Sequence, residues 1–97
     1  MRYFPGPTFS PVVYSKTAGP GPGTPYLIRH NNLIIGKAAT LVVLKRFMRE
    51  YALLCIENYN PKLYSRLREL PESELEEIMA DEAKMNAFCQ AQQEEQP

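Results

Sequence analysis

Prolines and glycines crowd the N-terminal quarter of this chain. Residues 1–25 hold six of the nine prolines and four of the five glycines. Proline removes a backbone hydrogen-bond donor and fixes φ, whereas glycine adds backbone freedom, so neither a long helix nor a central strand is expected here. The sequence therefore predicts a basic, extended arm over 1–25, an extended or turn segment over 26–36, a helical domain over 37–93 and a frayed tail over 94–97.

The arm also carries more apolar surface than a simple polar tether would. Its large apolar residues are Tyr3, Phe4, Phe9, Val12, Val13 and Tyr14, and Tyr26 follows directly. Two arrangements would cover this surface. The arm is disordered alone and becomes ordered on a partner, or it wraps around the helices of its own chain.

Residues 26–36 form two short apolar runs on either side of Asn31-Asn32. Asparagine tolerates left-handed backbone conformations, so the segment could form a small hairpin. A two-stranded hairpin is only marginally stable unless it packs on another element.

The pattern over residues 38–58 is helical. Polar residues fall on one arc, and apolar residues fill roughly half of the circumference. A helix of this length would span about 31 Å. Its apolar face is broader than that of an ordinary surface helix, and it therefore needs a partner or the arm to cover it.

Shorter helices are predicted after this one, over 62–70 and 73–93. Asn60 and Pro61 fit the N-cap and first position of a helix, and Pro71 ends that helix. Ser73 and Glu76 have the spacing of a capping box, and Asp81 could cap a further helix. The predicted fold class is therefore mainly α, with one long broad-faced helix and two or three short ones behind the arm.

The formal net charge of zero hides a strong asymmetry. The first 49 residues contain seven positive side chains and no acidic one, while all 11 acidic residues lie in 50–97. Such an asymmetry predicts that the basic half faces an acidic surface: nucleic acid, anionic lipid or an acidic protein. The alternative is that the two halves of the chain attract each other.

Nothing in the sequence indicates catalysis, a metal site or a cofactor site. His30 is the single histidine, and Cys55 and Cys89 lie too far apart, with no second pair, to form a zinc motif. The apolar run over 33–44 is shorter than the ~20 residues needed to cross a bilayer. No basic and apolar leader opens the chain, which predicts an intracellular, cytoplasmic protein rather than a secreted precursor.

Two short segments are similar to known families. Residues 67–88, which include Leu70-Pro-Glu-Ser-Glu-Leu75 and Asp81-Glu82, resemble the start of the Mod(r) domain of the ESCRT-I endosomal sorting complex. That resemblance implies a non-catalytic subunit of a membrane-trafficking complex. Pro20-Gly-Pro-Gly-Thr-Pro-Tyr26 is similar to the Pro-Gly-Pro signature of SHIPPO-repeat proteins, which are associated with microtubules. That resemblance implies tubulin as the acidic surface that the arm would meet.

Together these observations predict a non-catalytic accessory or adaptor subunit of a larger protein assembly. Its arm would dock on an acidic surface, and its apolar helix face would pack on a partner. The alternative is a nucleic-acid or anionic-membrane binder that uses the basic half, although three charges over the first 29 residues are few for nucleic acid. The predicted partner-binding residues are Arg2, Tyr3, Phe9, Tyr14, Lys16, Tyr26, Arg29, Leu44, Phe47, Met48 and Tyr51.

Overall fold

The computed structural model describes residues 2–6, 9–16 and 25–94. Three strands come first along the chain: β1 (Val13–Lys16), β2 (Tyr26–His30) and β3 (Leu33–Ala38). Four helices follow: α1 (Leu41–Tyr59), α2 (Pro61–Arg68), α3 (Glu72–Met79) and α4 (Glu82–Glu94). The Pro-Gly-Pro segment that begins at Pro20, up to residue 24, and residues 95–97 of the predicted tail lie outside the described residues.

The three strands form one antiparallel sheet in the order β1-β2-β3. β2 and β3 make a hairpin around Asn31 and Asn32, whose φ angles of 54° and 66° lie in the left-handed region that asparagine tolerates. The pairing runs from Tyr26 opposite Ala38 to His30 opposite Leu33, with a bulge between Ile28 and Arg29.

The prediction of a mainly α fold is therefore wrong, because a sheet precedes the helices and the fold mixes both classes. The prolines of the arm do not prevent β1, since they lie on either side of it. Residues 12–16 contain neither proline nor glycine, and β1 pairs with β2 over Val13–Lys16. Proline is frequent over residues 1–25 as a whole, but the four residues of β1 contain none.

Caps set the helix boundaries. The Thr40 side chain accepts from the Val43 N–H at 3.3 Å, so α1 begins after the predicted residue 38, which belongs to β3. The Asn60 side chain accepts from the Leu63 N–H at 3.1 Å and starts α2, as its position before Pro61 predicts. Asp81 likewise accepts from the Lys84 N–H at the start of α4.

The predicted capping box at the start of α3 does not form. Pro71 is the N-cap and makes no side-chain cap, and Ser73 lies within the first turn. The Glu76 carboxylate, which the box would require, instead binds Arg49 of α1 and the hydroxyl of Tyr3. A tertiary interaction between charged groups has replaced a local one.

One core joins the sheet, the four helices and the start of the arm. Its buried side chains include Ile28 of β2, several residues of α1, and pairs from the other three helices. Tyr3 and Val12 are both fully buried there, and their backbones exchange hydrogen bonds of 3.1 and 2.8 Å. The Phe4 N–H donates to the Met79 carbonyl at 2.8 Å, which ties the arm to the end of α3.

Candidate functional site: an apolar groove on the outer face of α1

An apolar concave surface lies along the outer face of α1. It is a groove of about 340 Å³. Its lining residues, all from α1, are Val43, Arg46, Phe47, Glu50, Tyr51 and Leu54. Because exposed apolar surface of this kind is costly to leave in water, it marks a candidate interaction site.

The spacing of the groove residues explains why they share one face. Val43, Phe47 and Leu54 are separated by four and seven residues, which places them on one side of a helix. The buried residues Leu44 and Met48 lie on another side of α1. The helix is thus apolar on two sides, one of which its own chain covers.

The sheet forms one border of the groove. A Cβ atom on Gly36 of β3 would lie 2.6 Å from the ring of Phe47, so the glycine lets that ring lie against the strand. One turn after Phe47 in α1, the Tyr51 ring packs edge to face on His30 of β2, with 5.4 Å between the ring centroids. The His30 Nε2 atom is 3.0 Å from the Ser10 carbonyl oxygen, so the imidazole joins the arm, the sheet and α1.

Charged residues form the other border. Glu50 accepts from Arg68 of α2 at 2.6 Å, so its carboxylate is already neutralised within the chain. Arg46 is exposed, and no carboxylate of the described residues lies within 4.0 Å of it. The groove therefore combines an apolar floor with one available positive charge at its edge.

Further apolar side chains extend this surface towards the hairpin and the start of α1. Leu33 is 68% exposed and Val42 is 79% exposed, and together with the groove residues they form a larger exposed apolar surface. Leu33 lies opposite His30 in the sheet register, and His30 contacts Tyr51, so the hairpin end lies beside the groove.

The structure separates the predicted partner-binding residues into three groups. Tyr3, Leu44 and Met48 are fully buried and stabilise the chain's own core. The half-buried members are Tyr14, Tyr26, Arg29 and Tyr51. The exposed members are Arg2, Phe9, Lys16 and Phe47. Of the whole set, only Phe47 and Tyr51 line the groove.

Phe9 lies elsewhere on the molecule, stacked on Tyr59 with 4.5 Å between the ring centroids. The Tyr59 hydroxyl donates to the Pro5 carbonyl. Burial, with the charges of Cys89 and Cys55 as smaller contributions, raises the pKa of Tyr59 to about 12. This contact holds the arm against the end of α1.

Sequence reasoning missed Val43, Leu54, Leu33 and Gly36. Val43, Phe47 and Leu54 recur on a second side of α1, and this pattern could have identified the groove. A helix that its own chain covers on one side needs only one apolar stripe. No comparable signal identifies Gly36, since its role depends on the approach of Phe47 from another element.

A partly exposed cluster of charged side chains surrounds Glu76 where α3 meets α1. Arg49 donates to Glu76 at 3.1 Å and to Glu72 at 2.9 Å, and the Tyr3 hydroxyl donates to the same Glu76 carboxylate. Burial, followed by the hydrogen bond to Glu76, raises the pKa of Tyr3 well above its usual range. Because every charge is paired across α1 and α3, the cluster stabilises the fold and offers no reactive group.

Burial also raises the pKa of the Cys55 and Cys89 thiols, which disfavours the nucleophilic thiolate form. Within residues 2–6, 9–16 and 25–94, no group of three or more His, Cys, Asp or Glu side chains could hold a metal ion. No helix in those ranges is both long and apolar enough to cross a membrane. The chain matches no protein-family model, no curated protein and no solved structure in the comparisons made with them.

Proposed function

We propose that this chain is a non-catalytic interaction subunit that binds a protein partner through the groove on the outer face of α1. The observation that carries the proposal is the apolar floor formed by Val43, Phe47 and Leu54, whose exposed fractions remain 50%, 36% and 55%. Apolar patches rimmed by polar residues are typical of protein-binding surfaces.

The chain's charge distribution supports a partner with acidic groups. Arg46 lies at the groove, and no carboxylate of the described residues lies within 4.0 Å of it. The resemblance of residues 67–88 to the start of a Mod(r) domain supports the same class of function, a subunit within a larger assembly. A positive charge at the groove would speed encounter with an acidic partner and help to exclude basic ones.

The test replaces the two most exposed residues of the floor. The double variant Val43→Ser, Leu54→Ser makes the floor polar, while Ala83→Ser, Ala87→Ser is a matched control on exposed positions of α4. Affinity capture from cells, quantified by mass spectrometry, would compare both with the wild-type chain after thermal unfolding has confirmed that all three fold.

We expect at least one captured protein to be retained by the wild type and the α4 control, and reduced about tenfold or more by the groove variant. Loss of two apolar anchors at an interface costs at least ~1.4 kcal/mol, which corresponds to that factor. Equal capture by all three chains would refute the proposal. Binding to phosphatidylserine vesicles or to an oligonucleotide that the groove variant leaves unchanged would favour the alternative, a binder of anionic surfaces.

A further inference from the structure

We infer that the partner enters as an extended segment that pairs with β3 as a fourth strand, with apolar side chains towards α1 and acidic side chains on the opposite face. The inference rests on the proposed function and specifies its ligand. Pairing with an exposed sheet edge is a recurrent mode of peptide recognition, in which backbone hydrogen bonds give affinity and alternate side chains give specificity.

The first support is the open edge of β3. In the order β1-β2-β3, β3 has a neighbour on one side only. On the other edge of the sheet, the arm pairs beside β1 through the bridge between Tyr3 and Val12. Within the described ranges no strand pairs with the outer side of β3, so its outward backbone groups are available to a ligand.

The second support is the position of this edge beside the groove. Gly36 faces the Phe47 ring, and Leu33 shares its face because it lies opposite His30, which packs on Tyr51. Successive residues of a strand point to opposite faces of a sheet. Every second side chain of an added strand would therefore face α1, where Phe47 and Val43 form an apolar floor.

The third support is the charge on the opposite face. Lys37 lies opposite Leu27, and Arg29 lies opposite Ile34, so both cations are on the side of the sheet away from α1. No carboxylate of the described residues lies within 4.0 Å of either cation. Acidic side chains on an added strand would lie beside Lys37, and such cross-strand pairs of opposite charge are favourable.

Charge also argues against a second copy of the chain as the occupant. Antiparallel pairing of two β3 edges would bring together two acid-free halves, because the first 49 residues contain seven positive side chains and no acidic one. A helical ligand would leave the backbone groups of the β3 edge unpaired. An extended segment that alternates apolar and acidic residues would pair with the β3 edge, cover the apolar floor of the groove and place acidic side chains beside Lys37.

The test uses three synthetic peptides with blocked ends. The first is Glu-Val-Glu-Val-Glu-Val-Glu, the second has the same composition arranged in two blocks, and the third replaces each Glu of the first with Lys. Each peptide is titrated into the full chain, which is labelled with ¹⁵N. NMR then follows the chemical shifts and the hydrogen-exchange rates of the backbone amides of the chain. Sedimentation of the chain alone measures self-association.

We expect the alternating acidic peptide to shift the amides of Leu33–Ala38 and to slow their exchange, with weaker effects from the block and lysine peptides. Lys37→Glu, a change at an exposed position, should weaken binding of the acidic peptide about threefold to fivefold and strengthen binding of the lysine peptide. Ser15→Glu is the matched control, because Ser15 is exposed on β1, on the same face of the sheet as Lys37 but at the other edge. It should leave the ranking of the three peptides by affinity unchanged.

Several results would overturn the inference. These are equal binding of the alternating and block peptides, tighter binding of an amphipathic helical peptide of the same length, and a concentration-dependent dimer with protected β3 amides. In each of those cases the proposed function would survive if the groove variant still reduced protein capture. Conversely, strand-like binding of the acidic peptide, with capture unaffected by Val43→Ser, Leu54→Ser, would defeat the proposed function alone.

Discussion

The Tyr3 hydroxyl donates a hydrogen bond to the Glu76 carboxylate, across 73 residues of sequence. The same carboxylate accepts from Arg49 of α1, so one side chain of α3 holds both the arm and the long helix. Tyr3 is fully buried, and its ring occupies the core that the sheet and the helices share. The start of the chain is therefore a structural part of the fold.

Tyr3→Phe tests this contact, because it keeps the buried ring and removes only the hydroxyl. A hydrogen bond to a charged acceptor contributes ~1.5–3 kcal/mol, and Glu76 keeps Arg49 after the change, so we expect a loss of about 1–2 kcal/mol. Urea denaturation gives the free energy of unfolding. Tyr14→Phe, at a half-buried ring that packs on Tyr26, is the control and should cost less than about 0.5 kcal/mol. Equal costs for the two variants would show that the hydroxyl of Tyr3 contributes nothing specific.

Gly36→Ala tests the approach of α1 to the sheet. The new methyl group would overlap the Phe47 ring, which must move, and we expect a loss of about 1–2 kcal/mol. In a Phe47→Ala background the same change should cost close to nothing, because the overlapping ring is gone. Thermal or urea unfolding of the four chains gives the double-mutant cycle. Additive costs would mean that the two residues do not contact each other in solution.

Alkaline pH should weaken the contact between Tyr59 and the arm. The pKa of Tyr59 is raised to about 12 in the folded chain from its ordinary value of 10.0, so the unfolded chain loses this proton first. The stability that comes from the neutral hydroxyl is fully present below pH 10 and decreases as the pH rises towards 12. We expect the stability difference between wild type and Tyr59→Phe to be constant from pH 7 to 9 and to shrink from pH 10 to 12. A constant difference across the whole range would contradict the raised pKa.

The hairpin turn offers a stabilising substitution. Asn32 has φ of 66°, a conformation that glycine adopts without a steric penalty. We expect Asn32→Gly to stabilise the chain by about 0.5 kcal/mol and Asn32→Ala to destabilise it by about 1 kcal/mol. Thermal unfolding of the two variants measures both effects. A destabilising glycine together with a neutral alanine would rule out the left-handed turn.

Of the proposed binding surface, only part was predictable. The pattern of residues 38–58 indicates a helix with more apolar surface than a small chain covers, and Phe47 and Tyr51 were identified as partner-binding residues. The same reasoning placed Leu44 and Met48 in that surface, but the structure buries both in the core. Periodicity states which residues share a side of a helix, and it does not state which side the rest of the chain covers.

The sequence alone determined the local features of this protein. Asn60 and Pro61 start α2, Pro71 precedes α3, and Asp81 caps α4, because each acts through hydrogen bonds or steric limits within a few residues. The tertiary structure decided the rest. β1 becomes a strand only by pairing with β2, across the nine residues that separate Lys16 and Tyr26. Tyr3 reaches Glu76, and Phe47 reaches Gly36, because the folded chain brings distant segments together. Such non-local contacts depend on which elements pack against each other. The residue pattern within a single segment does not indicate that packing.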